Sequence, residues 1–173
     1  MDELFDIFDE QGNHIGTALR SRCHGDPSLI HRTAHVVVIH PESGDILLQK
    51  RTMTKDIQPG KWDTAVGGHL ALGEDFETGA QRELAEELGI ENVRLFHIFD
   101  SAIRNTIESE NVRVFGAFIA DGFKFDPNEI DEIRFWSRAE LEDPENQKNF
   151  TPNLIEELKS LKLAGKYYPP ANR

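Results

Sequence analysis

The hydrophobic and polar positions at the start of the chain form short apolar blocks separated by turn residues. Gln11-Gly12-Asn13 and Pro41-Glu42-Ser43-Gly44 are turn sequences, because Gly and Asn tolerate the backbone conformations of tight turns. Apolar and β-branched residues flank both of them. The pattern predicts two β-hairpins joined by a polar segment at 21–28, one hairpin of residues 4–8 with 14–19 and one of residues 34–40 with 45–51.

Helical patterns follow the hairpins. Residues 75–88 contain no Pro, consist mainly of good helix formers and end before Gly89, a residue typical of a helix C-terminus. Residues 152–163 begin with Pro152 and place apolar residues at helical spacing. The other predicted elements are strands at 64–66, 95–103, 112–120 and 130–136 and a short helix at 138–141.

Strands and helices mixed in this order predict an α+β fold, in which helices cover a mixed sheet. The chain has 173 residues, of which 38% are hydrophobic, so it can bury one substantial core, and we expect a single domain over residues 1–173. Its longest apolar runs are much shorter than the roughly 20 residues of a membrane-spanning helix. We therefore expect no membrane partner.

The charge and the cysteine content limit the partners and the compartment. A formal net charge of −12 repels nucleic acids, so we expect no nucleic acid partner, and an anionic substrate would need bound cations. The acidic start of the chain lacks the basic and apolar stretches of a secretory signal, which favours a soluble, cytoplasmic protein. Cys23 is the single cysteine, so neither an internal disulfide nor a cysteine pair at zinc-binding spacing can form.

The segment from Gly68 to Ile90 carries the strongest chemical signal. On its predicted helix, Glu83, Glu86 and Glu87 are related by i, i+3 and i+4, so their carboxylates project from one face. A pair of glutamates taken alone is most often a solvated surface feature. Seven fixed residue identities at fixed spacing rarely occur by chance. If each residue type has an average frequency of about 7%, the pattern occurs in roughly one of 10⁸ sequence windows, or about tenfold more often in a Glu-rich chain. These residues are Gly68, Glu74, Arg82, Glu83, Glu86, Glu87 and Gly89.

This pattern resembles the signature of the Nudix hydrolase family. The resemblance implies a Nudix-type α/β/α sandwich and a magnesium-dependent hydrolase, with manganese as an alternative ion, that cleaves a diphosphate linkage in a nucleoside diphosphate derivative. It implies that Glu83, Glu86 and Glu87 are catalytic residues and metal ligands, with the backbone carbonyl of Gly68 as a further ligand. Magnesium prefers oxygen ligands of this kind. Arg82 is expected to orient the carboxylates rather than to contact the substrate.

The motif leaves the general base open. In the family this base is either a motif glutamate or an acid on a separate loop. Each acid outside the motif is, taken singly, more typical of a solvated surface. The candidates outside the motif are Glu108, Glu110, Glu129, Asp131 and Glu132.

The chain is also similar to the metal-dependent isopentenyl diphosphate isomerases of the same superfamily. This second resemblance implies a second metal site at His24, His31 and His69, although isolated histidines are more often ordinary polar residues than ligands. It also implies that Arg51 and Lys55 bind the substrate diphosphate. These two residues would supply the local positive charge that the acidic surface lacks.

The chain departs from the isomerases at residues that isomerisation requires. Gly67 occupies the position of the proton-donating cysteine, and Cys23 is far away in sequence. The paired metal-binding glutamates of the isomerase fall at Asn111 and Arg113 in an approximate alignment. The chain has the complete set of motif carboxylates, which the isomerase lacks. We therefore expect hydrolysis.

Two other functions stay open beside hydrolysis of a small-molecule diphosphate. One is isomerisation of a five-carbon diphosphate, and the other is non-catalytic sensing of a nucleotide. The sequence does not distinguish a monomer from a homodimer. It also leaves undetermined the identity of the substrate and the number of metal ions.

Overall fold

The computed structural model describes residues 2–55 and 57–165. The strands in this part of the chain are β1 (Leu4–Phe8), β2 (His14–Leu19), β3 (Ile30–Ile39), β4 (Ile46–Arg51), β5 (Trp62–Thr64), β6 (Val66–His69), β7 (Phe96–Arg104), β8 (Ser109–Phe118) and β9 (Ile130–Trp136). The helices are α1 (Arg20–Cys23), α2 (Phe76–Leu88), α3 (Arg138–Glu142), α4 (Pro144–Gln147) and α5 (Pro152–Leu163).

Strand β3 is the centre of a mixed sheet. It pairs in parallel with β8 along its whole length and antiparallel with β6, and it meets β4 where Ile39 faces Ile46. Strand β4 continues the sheet by pairing antiparallel with β5 and β9, and the β1–β2 hairpin joins β3 through β1. The predicted α+β class with a mixed sheet is confirmed.

The two longest helices cover opposite faces of this sheet. Side chains alternate along a strand, so Ala34, Val36 and Val38 of β3 pack with α2, while Val37 and Ile39 pack in the core cluster that includes α5. Burial of each large apolar side chain contributes about 1.5–3 kcal/mol. The expected α/β/α sandwich is therefore present, and both cores hold the central strand in place.

Helix α2 has defined ends that set the direction of its carboxylates. The side chain of Asp75 accepts a hydrogen bond from the backbone N–H of Thr78 at 2.8 Å, which caps the first turn. Gly89 ends the helix in the left-handed conformation with a φ of 65°. Leu84 and Leu88 are fully buried against the sheet. Glu83 and Glu87, each one position before a buried leucine, therefore lie on an adjoining face of the helix.

Most differences from the predicted elements concern polar stretches. Strand β3 begins at Ile30 instead of residue 34, and β8 begins at Ser109 instead of residue 112, because Ile30 pairs with Ser109. The added segments contain buried polar residues, His31 and Glu110, which a hydrophobic pattern does not assign to strands. Helices α1 and α4 are too short for a helical period, and both were missed. The strand predicted at 64–66 is two strands, β5 and β6.

No helix within the described ranges is long and apolar enough to cross a membrane. Cys23 is a buried free thiol, in line with its being the single cysteine of the sequence. The extent of the domain over residues 1–173 remains a prediction.

Candidate functional site

The carboxylates of α2 form the first part of the site. Glu83 packs directly against Gly68 of β6, where an added Cβ would lie 2.0 Å from the Glu83 Cδ atom. Any side chain at position 68 would displace this carboxylate. The glycine that opens the motif is therefore required by the close approach of helix and strand.

Arg82 holds the motif together. Its Nε and Nη2 atoms donate to the two carboxylate oxygens of Glu74, each at 3.0 Å, and Nη2 also donates to the His69 carbonyl at 2.9 Å. Its Nη1 atom donates to Glu83 Oε1 at 2.7 Å and to Glu86 Oε2 at 3.1 Å. The hydrogen bonds to Glu74 and Glu83 hold the pKa of Arg82 above its ordinary value. Its contacts agree with the expected orienting role.

Glu87 is the most enclosed of the three α2 glutamates. Its Oε2 atom accepts from Gln49 Nε2 at 2.8 Å. Burial, followed by repulsion from Glu83, raises the pKa of Glu87 to about 8. Burial also raises the pKa of Glu83, although Arg82 opposes the shift.

The raised pKa values of Glu83 and Glu87 bear on whether the α2 carboxylates fit a divalent cation. Two partly desolvated carboxylates that repel each other are unfavourable as anions until a cation lies between them. Their oxygens are the donors that magnesium prefers. Glu86 is different, since its side chain is 58% exposed. Glu83, Glu86 and Glu87 together therefore fit an ion that keeps part of its water shell.

An imidazole cluster forms the second part of the site. It consists of His24, His31, His69 and Glu110, whose ligand atoms all lie within 4.8 Å of one another. His69 Nε2 lies 3.2 Å from His24 Nε2 and 3.1 Å from Glu110 Oε1, and His31 Nε2 lies 3.4 Å from the same carboxylate oxygen. The structure thus brings together the three histidines that the sequence proposed.

His31 tests the fit of this cluster to a metal. Its Nδ1 atom lies 3.3 Å from the Leu29 carbonyl, which can only accept, so Nδ1 carries a hydrogen and Nε2 faces Glu110. That Nε2 atom is buried, and among the described residues no group makes a hydrogen bond of good geometry with it. A carbonyl behind one nitrogen and an unpartnered nitrogen in front is the usual surrounding of a metal-binding imidazole. Phe5 stacks on His31 and His69 and fixes their planes.

The pKa of the carboxylate in the imidazole cluster is lowered, whereas the pKa values of Glu83 and Glu87 on α2 are raised. Although burial acts in the other direction, the nitrogen atoms of His31 and His69 hold the pKa of Glu110 below its ordinary value. Burial, together with the positive charge that His69 can carry, lowers the pKa of His24. A charged carboxylate beside an uncharged imidazole is a donor set suited to a divalent transition metal.

The structure corrects the position expected for the isomerase-type glutamates. Asn111 and Arg113 lie on the side of β8 away from the histidines, because side chains alternate along a strand. Glu110 occupies the histidine side instead, and Glu108 Oε2 lies 3.7 Å from His24 Nε2. The side chain of Arg113 is bound to Asp100 and that of Asn111 to Arg104.

The remaining candidates for the general base lie elsewhere. Glu129 forms an ion pair with Lys55, and Asp131 forms one with Lys50 at 3.1 Å. Glu132 is exposed. Among the described residues none of these three acids contacts the α2 carboxylates, whereas Glu110 belongs to the imidazole cluster and Glu108 adjoins it.

Arg51 and Lys55 lie beside the site and not within the carboxylate cluster. Arg51 Nη1 lies 3.5 Å from Asp63 Oδ2, and its Nε donates to the Ile57 carbonyl at 3.0 Å. Burial raises the pKa of Asp63. In the described ranges neither base forms an ion pair with an α2 glutamate. The link to that cluster is Gln49, two positions before Arg51 on the same strand.

His35 is a site residue that the sequence interpretation missed. It lies on β3 opposite Gly67, and its Nδ1 atom lies 2.6 Å from Glu157 Oε2 of α5. Although burial lowers it, the attraction of Glu157 raises the pKa of His35 to about 9. A Cβ atom at position 67 would lie 3.0 Å from His35 Cδ2, so a cysteine there would be crowded. Its position two residues before Val37, on the inward face of β3, was the available signal.

Comparison with known proteins gives matches over most of the chain. Residues 29–158 match the NUDIX domain. The chain is 39% identical over 160 residues to an uncharacterised Nudix hydrolase of Yersinia pestis, covering 90% of this chain and 84% of that protein. It is 33% identical over 146 residues to an isopentenyl-diphosphate Delta-isomerase of Streptomyces griseus, covering 80% and 73%. A crystal structure of DR0079 from Deinococcus radiodurans superposes with a TM-score of 0.73 at 21% identity, covering 91% and 98%.

Proposed function

The chain belongs to the Nudix hydrolase family, and from this premise we propose that it cleaves a diphosphate linkage in a nucleoside diphosphate derivative with magnesium as the ion. The single observation that carries the proposal is the enclosure of Glu83 and Glu87, whose pKa values are both raised by burial. Surface glutamates of a solvated helix would have no such shift. The family acts on small molecules, and the nucleoside is our proposal.

The α2 carboxylates would hold the metal. Glu83 and Glu87 are the proposed inner ligands, Glu86 is the more exposed third ligand, and the backbone carbonyl of Gly68 is a further donor. A divalent cation there would neutralise charge on the diphosphate and lower the pKa of water near it. Magnesium is proposed because all these donors are oxygen atoms, and manganese accepts the same set.

The protein's own groups position the substrate and move the proton. Arg82 keeps Glu83 and Glu86 in place, so these side chains lose little freedom when substrate binds. Glu86 uses one carboxylate oxygen for Arg82, and its exposed side chain can take a proton from the attacking water. Arg51 and Lys55 would exchange their present acidic partners for phosphate oxygens.

A substrate panel tests this function. The parent protein would be incubated with nucleoside diphosphate sugars, dinucleotides and nucleoside diphosphates, with magnesium or with a chelator, and the products would be identified by mass. We expect phosphorylated fragments only when magnesium is present. Equal cleavage in chelator, or no cleavage of any diphosphate in magnesium or manganese, would contradict the proposal. Tight nucleotide binding without cleavage would favour the sensor alternative.

We also propose that His24, His31 and His69, together with Glu110, hold a second metal ion. The unpartnered Nε2 atom of His31 supports this assignment most directly. Imidazole nitrogens suit manganese, zinc or another transition metal better than magnesium.

Isomerisation is the second candidate function. This chain contains the imidazole cluster, and one of its relatives is named as an isopentenyl-diphosphate Delta-isomerase. Gly67 has no side chain to donate a proton, and His35 crowds that position. We therefore expect no deuterium exchange into isopentenyl diphosphate. Exchange at a rate comparable to hydrolysis would replace the hydrolytic proposal.

A further inference from the structure

The three α2 glutamates share one feature of their hydrogen bonding. Each has one carboxylate oxygen that accepts from a side-chain N–H group, at 2.7 Å for Glu83 Oε1, 3.1 Å for Glu86 Oε2 and 2.8 Å for Glu87 Oε2. Arg82 is the donor to the first two, and Gln49 is the donor to the third. Among the described residues no side-chain donor reaches the second oxygen of any of the three. Each glutamate therefore has one oxygen left for a ligand.

The orientation of the Gln49 amide is fixed. Its Nε2 atom lies 3.0 Å from the Ala65 carbonyl, which can only accept, so the nitrogen of the amide and not its oxygen faces this side. The second hydrogen on the same nitrogen is then directed at Glu87 Oε2. The backbone of Gln49 is held as well, because it pairs with Asp63 of β5 on one side and with Ile133 of β9 on the other.

A fixed N–H donor beside one carboxylate oxygen disfavours a cation at that oxygen. The hydrogen of Gln49 carries a partial positive charge and uses a lone pair of Glu87 Oε2. An ion bound to both oxygens of Glu87 would have to share Oε2 with this hydrogen or displace it. Displacement is costly, since it would leave an amide hydrogen without its partner in a half-buried position. Glu87 is therefore arranged to bind an ion through Oε1 alone.

One oxygen from each carboxylate suits some ions better than others. Magnesium demands a near-ideal octahedron, and the two oxygens of a single carboxylate lie too close together to fill two of its positions. Calcium is larger, takes about six to eight oxygen ligands and readily binds both oxygens of one carboxylate. A site in which each glutamate has a single available oxygen thus favours the smaller ion.

We propose that Gln49 determines the metal selectivity of the α2 site: by holding Oε2 of Glu87 it limits this glutamate to one coordinating oxygen and favours magnesium over calcium. The inference rests on the proposed function, because it concerns the ion of the same site. Gln49 acts through Glu87 and is a positioning residue. Arg82 applies the same limit to the other two α2 glutamates, but it also binds Glu74 and the His69 carbonyl, so a change at Gln49 disturbs fewer contacts.

Gln49→Met tests this role, because methionine has the length of glutamine but no N–H group. The metal-free parent and the variant would be titrated calorimetrically with magnesium alone and with calcium alone. We expect Gln49→Met to lose about tenfold to a hundredfold in magnesium affinity, as is usual when a residue that orients a metal ligand is replaced. Calcium affinity should not fall, so the ratio of the two affinities should drop by at least about tenfold.

Gln81→Met is the matched control. Gln81 lies on α2, is also half-buried and donates its side-chain amide to a backbone carbonyl, that of Val93, at 2.6 Å. A purely structural role of either glutamine would lower the melting temperature and leave the ratio of magnesium to calcium affinity unchanged. A parent-like ratio in Gln49→Met overturns the inference. An equal drop in Gln81→Met, or a parent that does not prefer magnesium to calcium, overturns it as well.

A measurement on the parent protein covers the case in which Gln49→Met does not fold. Manganese accepts the same oxygen ligands as magnesium, and its anomalous scattering locates it in a soaked crystal. We expect the ion at Oε1 of Glu87, with Gln49 still bound to Oε2. An ion in contact with both oxygens of Glu87 or with Oε2 alone, or no ion beside α2, overturns the inference.

Metal binding and turnover separate the two proposals. If no diphosphate is cleaved but the ratio of magnesium to calcium affinity depends on Gln49, the selectivity stands and the hydrolytic function fails. If a diphosphate is cleaved with magnesium and Gln49→Met keeps the parent's ratio of affinities, the function stands and the selectivity inference fails.

Discussion

The acidic face of α2 and the imidazole cluster are two candidate metal sites built in different ways. Glu83, Glu86 and Glu87 lie on one helix, within five consecutive residues. The imidazole cluster takes its ligands from the end of α1 and from β3, β6 and β8. Local spacing defines the first site, and strand pairing defines the second.

The two sites also differ in their electrostatic balance. Burial raises the pKa of Glu83 and Glu87, so the α2 face is strained as an anion in the absence of a cation. In the imidazole cluster, His31 and His69 hold the pKa of Glu110 down, so that site is partly balanced by its own residues. Oxygen ligands favour an exchangeable hard ion, and nitrogen ligands favour a resident transition metal.

The largest expected effect is on the rate of hydrolysis, after a substitution that removes a proposed ligand from the α2 site alone. Glu87→Gln keeps the hydrogen bond partner of Gln49 but removes a proposed ligand charge, and hydrolysis should fall by about 10³-fold because a metal contributes several kcal/mol to the transition state. Steady-state rates in magnesium measure the loss. Glu77→Gln, at an exposed position in the first turn of α2, is the matched control and should stay near the parent rate. Parent-like activity of Glu87→Gln would show that the α2 face is not the catalytic metal site.

An intermediate effect is expected on metal affinity, after a substitution that removes a ligand from the imidazole cluster. Glu110→Gln removes a carboxylate that lies 3.1 Å from His69 Nε2, and affinity for manganese or zinc at this site should fall by at least about tenfold to a hundredfold. Metal content after dialysis, measured by mass spectrometry, gives the result. Glu108→Gln is the control, since its nearest histidine contact is 3.7 Å, and it should lose less. Equal metal content in both variants and the parent would contradict the second site.

The smallest expected effect is on stability. It tests the difference in electrostatic balance between the α2 glutamates and the imidazole cluster. The pKa of Glu87 is about 8 in the folded protein, above its ordinary value of 4.5, so the folded state binds more protons between these two values. Stability of the metal-free protein should therefore fall as pH rises through this window. Glu87→Gln should remove that loss and raise stability at pH 8.5 by about 1–4 kcal/mol, with each kcal/mol worth about 2–4 °C in Tm.

Melting curves in chelator at pH 5 and at pH 8.5 measure this difference. His35, with a pKa of about 9, also loses its stabilising charge as pH rises, but it does so in both proteins, so most of its effect cancels from the comparison. If the Tm difference between Glu87→Gln and the parent is the same at both pH values, the raised pKa of Glu87 is wrong.

The predictability of the fold differs between apolar and polar segments. Residues 152–163 were predicted as a helix and form α5 with the same ends, because Pro152 and the helical apolar spacing act locally. The extensions of β3 and β8 were missed, because His31 and Glu110 are polar residues buried for their contacts with each other. Hydrophobic patterns locate the core, and they fail where a buried site interrupts it.

The sequence by itself determined the family, the helix that carries the proposed metal ligands and the shared face of its glutamates, since helical geometry fixes side-chain direction within a few residues. Through the resemblance to the isomerases it also pointed to a metal site at His24, His31 and His69. Only the tertiary structure decided that Glu110 completes their cluster and that Glu157 reaches His35 across the core. Both contacts join residues far apart in the chain, so they depend on strand register and helix packing, which no local pattern encodes.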